Sequence, residues 1–299
     1  MSTELPREHP STYVVQDRNN LEEMDRLDIQ DQMLNVGMGG VLPELADPTM
    51  LRKVLDVGCG TGGWLMEMAT TYPTIEKLVG ADISGKMMDY AHRKAQAQQL
   101  DKRVQFKTMD ALRVLDFPDA SFDLVNHRFG VSWLRTWEWT KLLMEYQRVA
   151  QAGGIIRITE TAISIECNSP ALTKLWNIFL ETSYNSGRLF ANRGDSLISE
   201  LARLMTQRGI QDVQTRPHTL VFRAGTAEHQ SFYDDMAHSY RVALPFFHKW
   251  TRVPSDYQQI YDRALQEMQQ PDFVASWPIL TAWGTKPTNG ERLLPMQRR

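Results

Sequence analysis

The feature that most narrows the fold of this chain is the run V-L-D-V-G-C-G-T-G-G, Val54 to Gly63, in which a β-prone segment ends in clustered glycines just before a helical pattern. Glycine reaches left-handed backbone conformations at no steric cost, so such a run marks a tight strand-to-helix turn whose backbone approaches a ligand. From residue 51 onward, short β-rich runs alternate with helical stretches. Strands are expected at Lys53 to Val57, Lys77 to Ala81, Val104 to Lys107, Phe122 to Asn126 and Ile155 to Thr159. Between them lie helices such as Gly62 to Thr71 and Ser84 to Gln98, the latter with Met87, Met88, Ala91 and Ala95 on one face. Repeated strand, helix, strand units imply right-handed crossovers, hence an α/β, doubly wound, mostly parallel seven-stranded sheet. Ligands of such sheets bind beyond the carboxyl ends of the strands.

Flanking segments break this rhythm. Residues 1–48 read as an N-terminal helical cap, with a helix from about 20 to 36. Asn20 and Glu23 suggest a capping box, Leu21, Met24, Leu27 and Leu34 an apolar face, and Gly37, Gly39 and Gly40 the break. After the core (49–162), residues 163–194 bring Leu172, Leu175, Trp176 and Phe179 at helical spacing, as a lid insertion. Residues 195–224 return to the core with a helix at Ser196 to Arg208 and a strand at Val213 to Phe222. A second helical insertion is expected at 225–272, and a last strand, about Ser276 to Trp283, within 273–299.

The balance of 33 basic against 36 acidic residues, a net charge of -3, disfavours a nucleic-acid binder, and no Lys/Arg cluster offers a groove for one. Two cysteines cannot frame a disulfide scaffold. With no apolar run of membrane-spanning length and no signal-peptide core, the expectation is a soluble, cytoplasmic protein. No metal is expected: His229, Asp234, Asp235 and His238 match no zinc spacing and read as a helix surface.

The glycine loop alone does not choose a ligand, because Gly58, Gly60 and Gly63 also satisfy a dinucleotide fingerprint. Asp56 does discriminate: two residues before the first glycine, a carboxylate faces a pyrophosphate at Coulombic cost but favours a cation. S-adenosylmethionine carries a sulfonium and an ammonium and no phosphate. Asp82, which ends K-L-V-G-A-D, is placed to accept from ribose hydroxyls. Asp110, followed by Ala111, stands just past the third strand, where it can accept from the adenine amino group, with Ile83 and Met87 or Met88 against the ring.

On these residues the chain resembles the class I S-adenosylmethionine-dependent methyltransferases of small-molecule type, over roughly residues 50 to 162. The glycine loop of that family matches Asp56, Gly58, Gly60 and Gly62, its ribose acid Asp82 and its adenine acid Asp110, and its block F-D-x-V is Phe122 to Val125. The turn into the fifth strand also matches, except that Gln151 and Ala152 replace the usual basic-Pro pair. The resemblance implies a Rossmann-like fold, S-adenosylmethionine as cofactor and methyl transfer.

The acceptor is expected to be a small aromatic or apolar molecule. Methyl transfer is an in-line displacement that rests on positioning, so a base is optional. His127, following the fourth strand and able to titrate near neutrality, is the candidate base or donor-orienting residue, and Glu160, at the end of the fifth strand, is the second candidate. On the strength of His127, oxygen is favoured over nitrogen or carbon as the accepting atom. Arg128 and Phe129 resemble an Arg-aromatic pair lining the donor-acceptor junction, and Trp133, Trp137, Trp139, Trp176, Phe179, Tyr184 and Phe190 supply candidate wall material. Tyr13, Gln30 and Asp31 are expected to fold over the donor. Two alternatives stay open: a nicotinamide-dependent oxidoreductase, and a protein that binds the donor without turnover.

Overall fold

A computed structural model describes residues 13–14 and 21–288. A cap helix, α1 (Leu21–Met38), precedes the sheet. The core then runs β1 (Lys53–Val57), α2 (Gly63–Thr71), β2 (Lys77–Asp82), α3 (Gly85–Ala97), β3 (Val104–Thr108), β4 (Phe122–Arg128), α4 (Trp139–Val149) and β5 (Ala150–Thr161). Past it come the two-residue β6 (Glu166–Cys167), α5 (Pro170–Asn185), α6 (Leu201–Gln207) and β7 (Gln211–Arg223). The second insertion is α7 (Ala227–Val242), α8 (Leu244–Trp250) and α9 (Tyr257–Met268), and β8 (Val274–Thr285) returns to the sheet.

The strands are ordered β3-β2-β1-β4-β5-β8, with β7 on the far side of β8 and β6 extending the row beside β8 where β5 ends. The pairs from β3 to β5 are parallel, and β8 runs antiparallel to both β5 and β7. The doubly wound expectation therefore holds, with an eighth, minimal strand added. Among the described residues no helix is long and apolar enough to cross a membrane.

Strand parity divides the core. Val54, Leu78 and Leu124 pack with α2 and α3 on one face, whereas Leu55, Val79, Val125, Ile156 and Ile158 pack with α4 and α6 on the other. A third apolar cluster joins α5, α7, α8 and α9 to the ends of β7 and β8. Burial at ~25 cal/mol per Å² of apolar area is what holds such layers together.

The cap departs from expectation at Gly37. Asn20, and with it the expected capping box, lies outside the described residues. Gly37, expected to break α1, continues it: a Cβ there would lie 2.8 Å from Leu220 Cγ, so the glycine serves a close approach between helix and β7. The inner face of α1 is also charged. Arg26 holds Glu23 through two bonds of 2.8 Å and reaches Asp235 on α7, with Glu23 and Asp235 fully buried. Although burial alone raises a carboxyl pKa, bonds to Arg26 and His238 hold Glu23 down at about 2. Asp235 is thus no surface residue, which corrects the reading of 229–238 as an exposed face; His229 is buried as well, against the Met268 carbonyl.

Removing one partner of a buried ion pair strands the other charge in low dielectric. Asp235→Ala is expected to lower unfolding free energy by roughly 3 kcal/mol in urea titrations, while the exposed neighbour Asp234→Ala shifts it by less than about 0.5 kcal/mol.

Candidate functional site

The glycine loop turns as its composition demands. Gly58, Gly60 and Gly62 adopt φ of 71°, 53° and 75°, left-handed values that L side chains resist. Gly62 caps α2, and a Cβ on it would lie 2.4 Å from the Phe106 ring. Gly63 has ordinary backbone but faces Asp31, whose carboxylate a Cβ would meet at 2.6 Å. These contacts seat the loop beneath α1.

Above the loop, at the carboxyl ends of the strands, lies a cavity of about 290 Å³. One end is lined by Asp56, Gly58, Gly60, Asp82, Ile83, Met87, Asp110, Ala111 and Trp133, which brings together most of the residues expected at the donor. Asp82 accepts from the backbone N–H of Gly60 at 3.3 Å and of Ser84 at 2.9 Å, fixing its carboxylate at the tip of β2. Asp110 accepts from Leu112 N–H at 2.9 Å. Gly62 and Met88 stay outside the lining, the first as helix cap and the second in the core.

Asp56 is buried with one oxygen accepting from Asn126 Nδ2 at 2.8 Å. Burial pushes its carboxyl up to about 7, opposed by Arg128 and the Asn126 bond. A buried carboxyl raised this far is a natural partner for a cation, which would restore its charged form. This property suits the sulfonium and ammonium of S-adenosylmethionine, and the Asp82 carboxylate beside the glycine turn has the chemistry to accept hydrogen bonds from a diol.

The cavity then continues between the insertions, past Arg128, Phe129, Thr161 and Ile163 to Trp176 and Phe179 of α5, Met236, Ser239 and Tyr240 of α7, Phe247 of α8 and Trp277 of β8. Tyr13, Arg26, Gln30, Asp31 and Asp235 form a polar seam along it. Arg128 is tied to Asp31 at 2.5 Å and to Asn35 at 3.1 Å. Sequence reasoning missed Arg26, Asp235, Tyr240, Phe247 and Trp277. A signal existed in α7: Asp235 interrupts an apolar stripe of Phe232, Met236 and Tyr240, and a charge there is either paired or functional.

Other candidates fall elsewhere. Tyr184 and Trp137 are exposed, Trp139 is core, and Phe190 packs against the β4 side, so none lines the cavity. His127 is fully buried between Trp133 and Trp139, with ring centroids 5.2 and 5.7 Å away, and its Nδ1 meets Tyr146 Oη at 2.7 Å. Burial lowers it to about 3, so the imidazole is neutral at physiological pH and does not titrate near 7. The reason is parity: Asn126 and Arg128 face the glycine-loop side, so His127 between them points into the opposite core. Glu160 shares that face and is likewise buried outside the lining. Pushed up to about 8 by burial, it accepts from Gly130 N–H at 2.6 Å and Val131 N–H at 3.3 Å. It therefore clamps the short turn Gly130–Ser132, from which Val131, Ser132 and the adjoining Trp133 reach the cavity.

Adding a methyl at Gly62 combines a left-handed φ with the Phe106 clash. Gly62→Ala is expected to cost roughly 2 kcal/mol of stability, read as a lower urea midpoint.

A profile described as a methyltransferase domain matches residues 54–154. A demethylmenaquinone methyltransferase of Deinococcus radiodurans is 37% identical over 139 residues, covering 45% of this chain and 55% of the relative. The chain thus spans about half the length of that relative. Another of the same name from Lactiplantibacillus plantarum is 30% identical over 173 residues, covering 54% of this chain and 70% of the relative. In fold, the chain resembles a Haemonchus contortus phosphoethanolamine N-methyltransferase solved with S-adenosylhomocysteine, at TM-score 0.55 and 17% identity, covering 93% of this chain and 61% of that one. With the glycine loop, its three carboxylates and the strand order in agreement, the chain belongs to the class I S-adenosylmethionine-dependent methyltransferases.

Proposed function

We propose that this protein transfers a methyl group from S-adenosylmethionine to a small organic acceptor with an aromatic or otherwise apolar body. The observation that carries the reading is the continuous cavity, with a carboxylate-lined end at the glycine loop and an aromatic end between the two insertions. S-adenosylmethionine, when bound, supplies an electrophilic methyl on a positively charged sulfur. Asp56 offers its negative charge to that ligand, Asp82 accepts from the ribose, Asp110 faces the adenine, and Ile83 and Met87 cover the ring.

At the other end, Trp176, Phe179, Tyr240, Phe247 and Trp277 supply flat apolar surface that excludes water and orients a planar body. The named acceptor of the two bacterial relatives, demethylmenaquinone, is consistent with such a chamber. Oxygen as the accepting atom loses its original support, since His127 is walled off and neutral. The carboxylates of the seam are committed instead: Asp31 is bridged to Arg128 and Asp235 to Arg26. We therefore assign activation of the nucleophile to the acceptor itself, as in a phenolate or an electron-rich ring position. His127 and Glu160 act by supporting the turn that carries Trp133.

Thermal unfolding with S-adenosylhomocysteine is expected to show a dose-dependent rise in melting temperature, lost in Asp82→Ala, with no response to NAD. Stabilisation by NAD alone would replace this reading with a nicotinamide-dependent oxidoreductase.

A further inference from the structure

Asp56, Asn126 and Arg157 stand opposite one another on three adjacent parallel strands. The β1–β4 register pairs 56 with 126, and the β4–β5 register pairs 126 with 157. Paired positions on neighbouring strands project from the same face, so the three side chains form one row across the sheet. The row is joined by hydrogen bonds. Arg157 Nη1 donates to Asn126 Oδ1 at 2.7 Å, and Asn126 Nδ2 donates to Asp56 Oδ1 at 2.8 Å. At its far end the Arg157 guanidinium pairs with Glu44, both side chains fully buried. Of these four residues only Asp56 lines the cavity.

A polar row through the middle of a sheet is costly, because each group gives up water. The preceding row on the same face, Val54, Leu124 and Ile155, is apolar. What the polar row supplies is direction. A guanidinium has only donors, so Asn126 must meet Arg157 with its oxygen, which turns its N–H group toward Asp56. Without Arg157 the amide is free to flip and present oxygen to the carboxylate, an arrangement that opposes the anion and favours the acid.

We infer that Asn126 and Arg157 are positioning residues for the donor: the row holds Asp56 as an oriented anion facing the cavity. This rests on the donor-site reading given above. Other charges bear on Asp56 too. Arg128 of β4 and the charge of Arg157 itself favour the anion, Asp31 of α1 opposes it, and the Asp56 charge in turn bears on Tyr146 of α4 and Cys59 of the loop, with Asp82 of β2 on the same cavity wall. Burial sets Asp56 at about 7 in that balance. Below this pH the carboxyl is neutral and gives a cation little; above it the anion is available, so affinity for a cationic ligand rises with pH.

The test is calorimetric titration of the full chain with S-adenosylhomocysteine, which keeps the ammonium, between pH 5.5 and 8.5. Wild-type affinity is expected to fall about tenfold from pH 8 to pH 6. Asn126→Leu is expected to move the midpoint up by about one unit, weakening binding about tenfold at pH 6 but less than about twofold at pH 8.5. The paired change Arg157→Met with Glu44→Met, which leaves no stranded charge, is expected to do the same, and Arg157→Lys to restore the wild-type midpoint. Asn126→Ser, which removes the amide without adding bulk, is read in the same way should the leucine variant not fold. Uniformly weaker binding at every pH with an unmoved midpoint would overturn the positioning role and leave the donor site standing. No binding by wild type at any pH would overturn the donor site and the row together.

Discussion

Alternation along three neighbouring strands decides what this molecule can do. Successive side chains of β1, β4 and β5 point to opposite faces, and the parallel registers align Asp56 with Asn126 and Arg157. One face thereby carries a charged row that ends at the cavity. The other carries His127 and Glu160 into the core shared with α4. Turning these strands over by one residue would exchange the two sets, putting Val57 where the cavity now has the Asp56 carboxylate and His127 in place of Asn126 beside it. The glycine loop completes the arrangement, since its left-handed residues let the chain leave β1 and enter α2 without side chains filling the space above Asp56.

The second determinant is the meeting of cap and insertion. Arg26 of α1 and Asp235 of α7 are separated by more than two hundred positions yet share a buried ion pair on the cavity wall. Apolar contact alone would allow the two helices to slide. An ion pair with Glu23 behind it, and Gln30 bonded to the same Asp235 carboxylate, selects one register. The cap helix and the far wall of the cavity are thus one structural unit. A ligand held at one end of the cavity is covered by residues whose positions depend on the other.

What the sequence made legible follows the range of the interactions involved. Asp56, the glycines, Asp82 and Asp110 lie within or beside short local motifs, and a strand-turn-helix unit carries its own geometry. The sheet was readable for the same reason, because alternation of strand and helix is a local pattern with few permitted crossovers. His127 was misjudged because proximity in sequence to the ligand edge says nothing about which face a strand residue takes; only pairing with Val57 and Ile158 fixes that. Tyr184 was misjudged for a related reason, since on α5 it turns to solvent while Trp176 and Phe179 turn inward. The cavity wall from α7, α8 and β8 was not legible, as it forms only when elements remote in the chain pack together. Asp235 was the one local clue, a charge set among apolar neighbours.

A crystal structure of the protein with S-adenosylhomocysteine tests the central claim most directly. The expected result is the ammonium against Asp56, the ribose hydroxyls at Asp82 and the sulfur facing the aromatic compartment. Density for the ligand in another part of the molecule, or with its ribose turned away from Asp82, would contradict it.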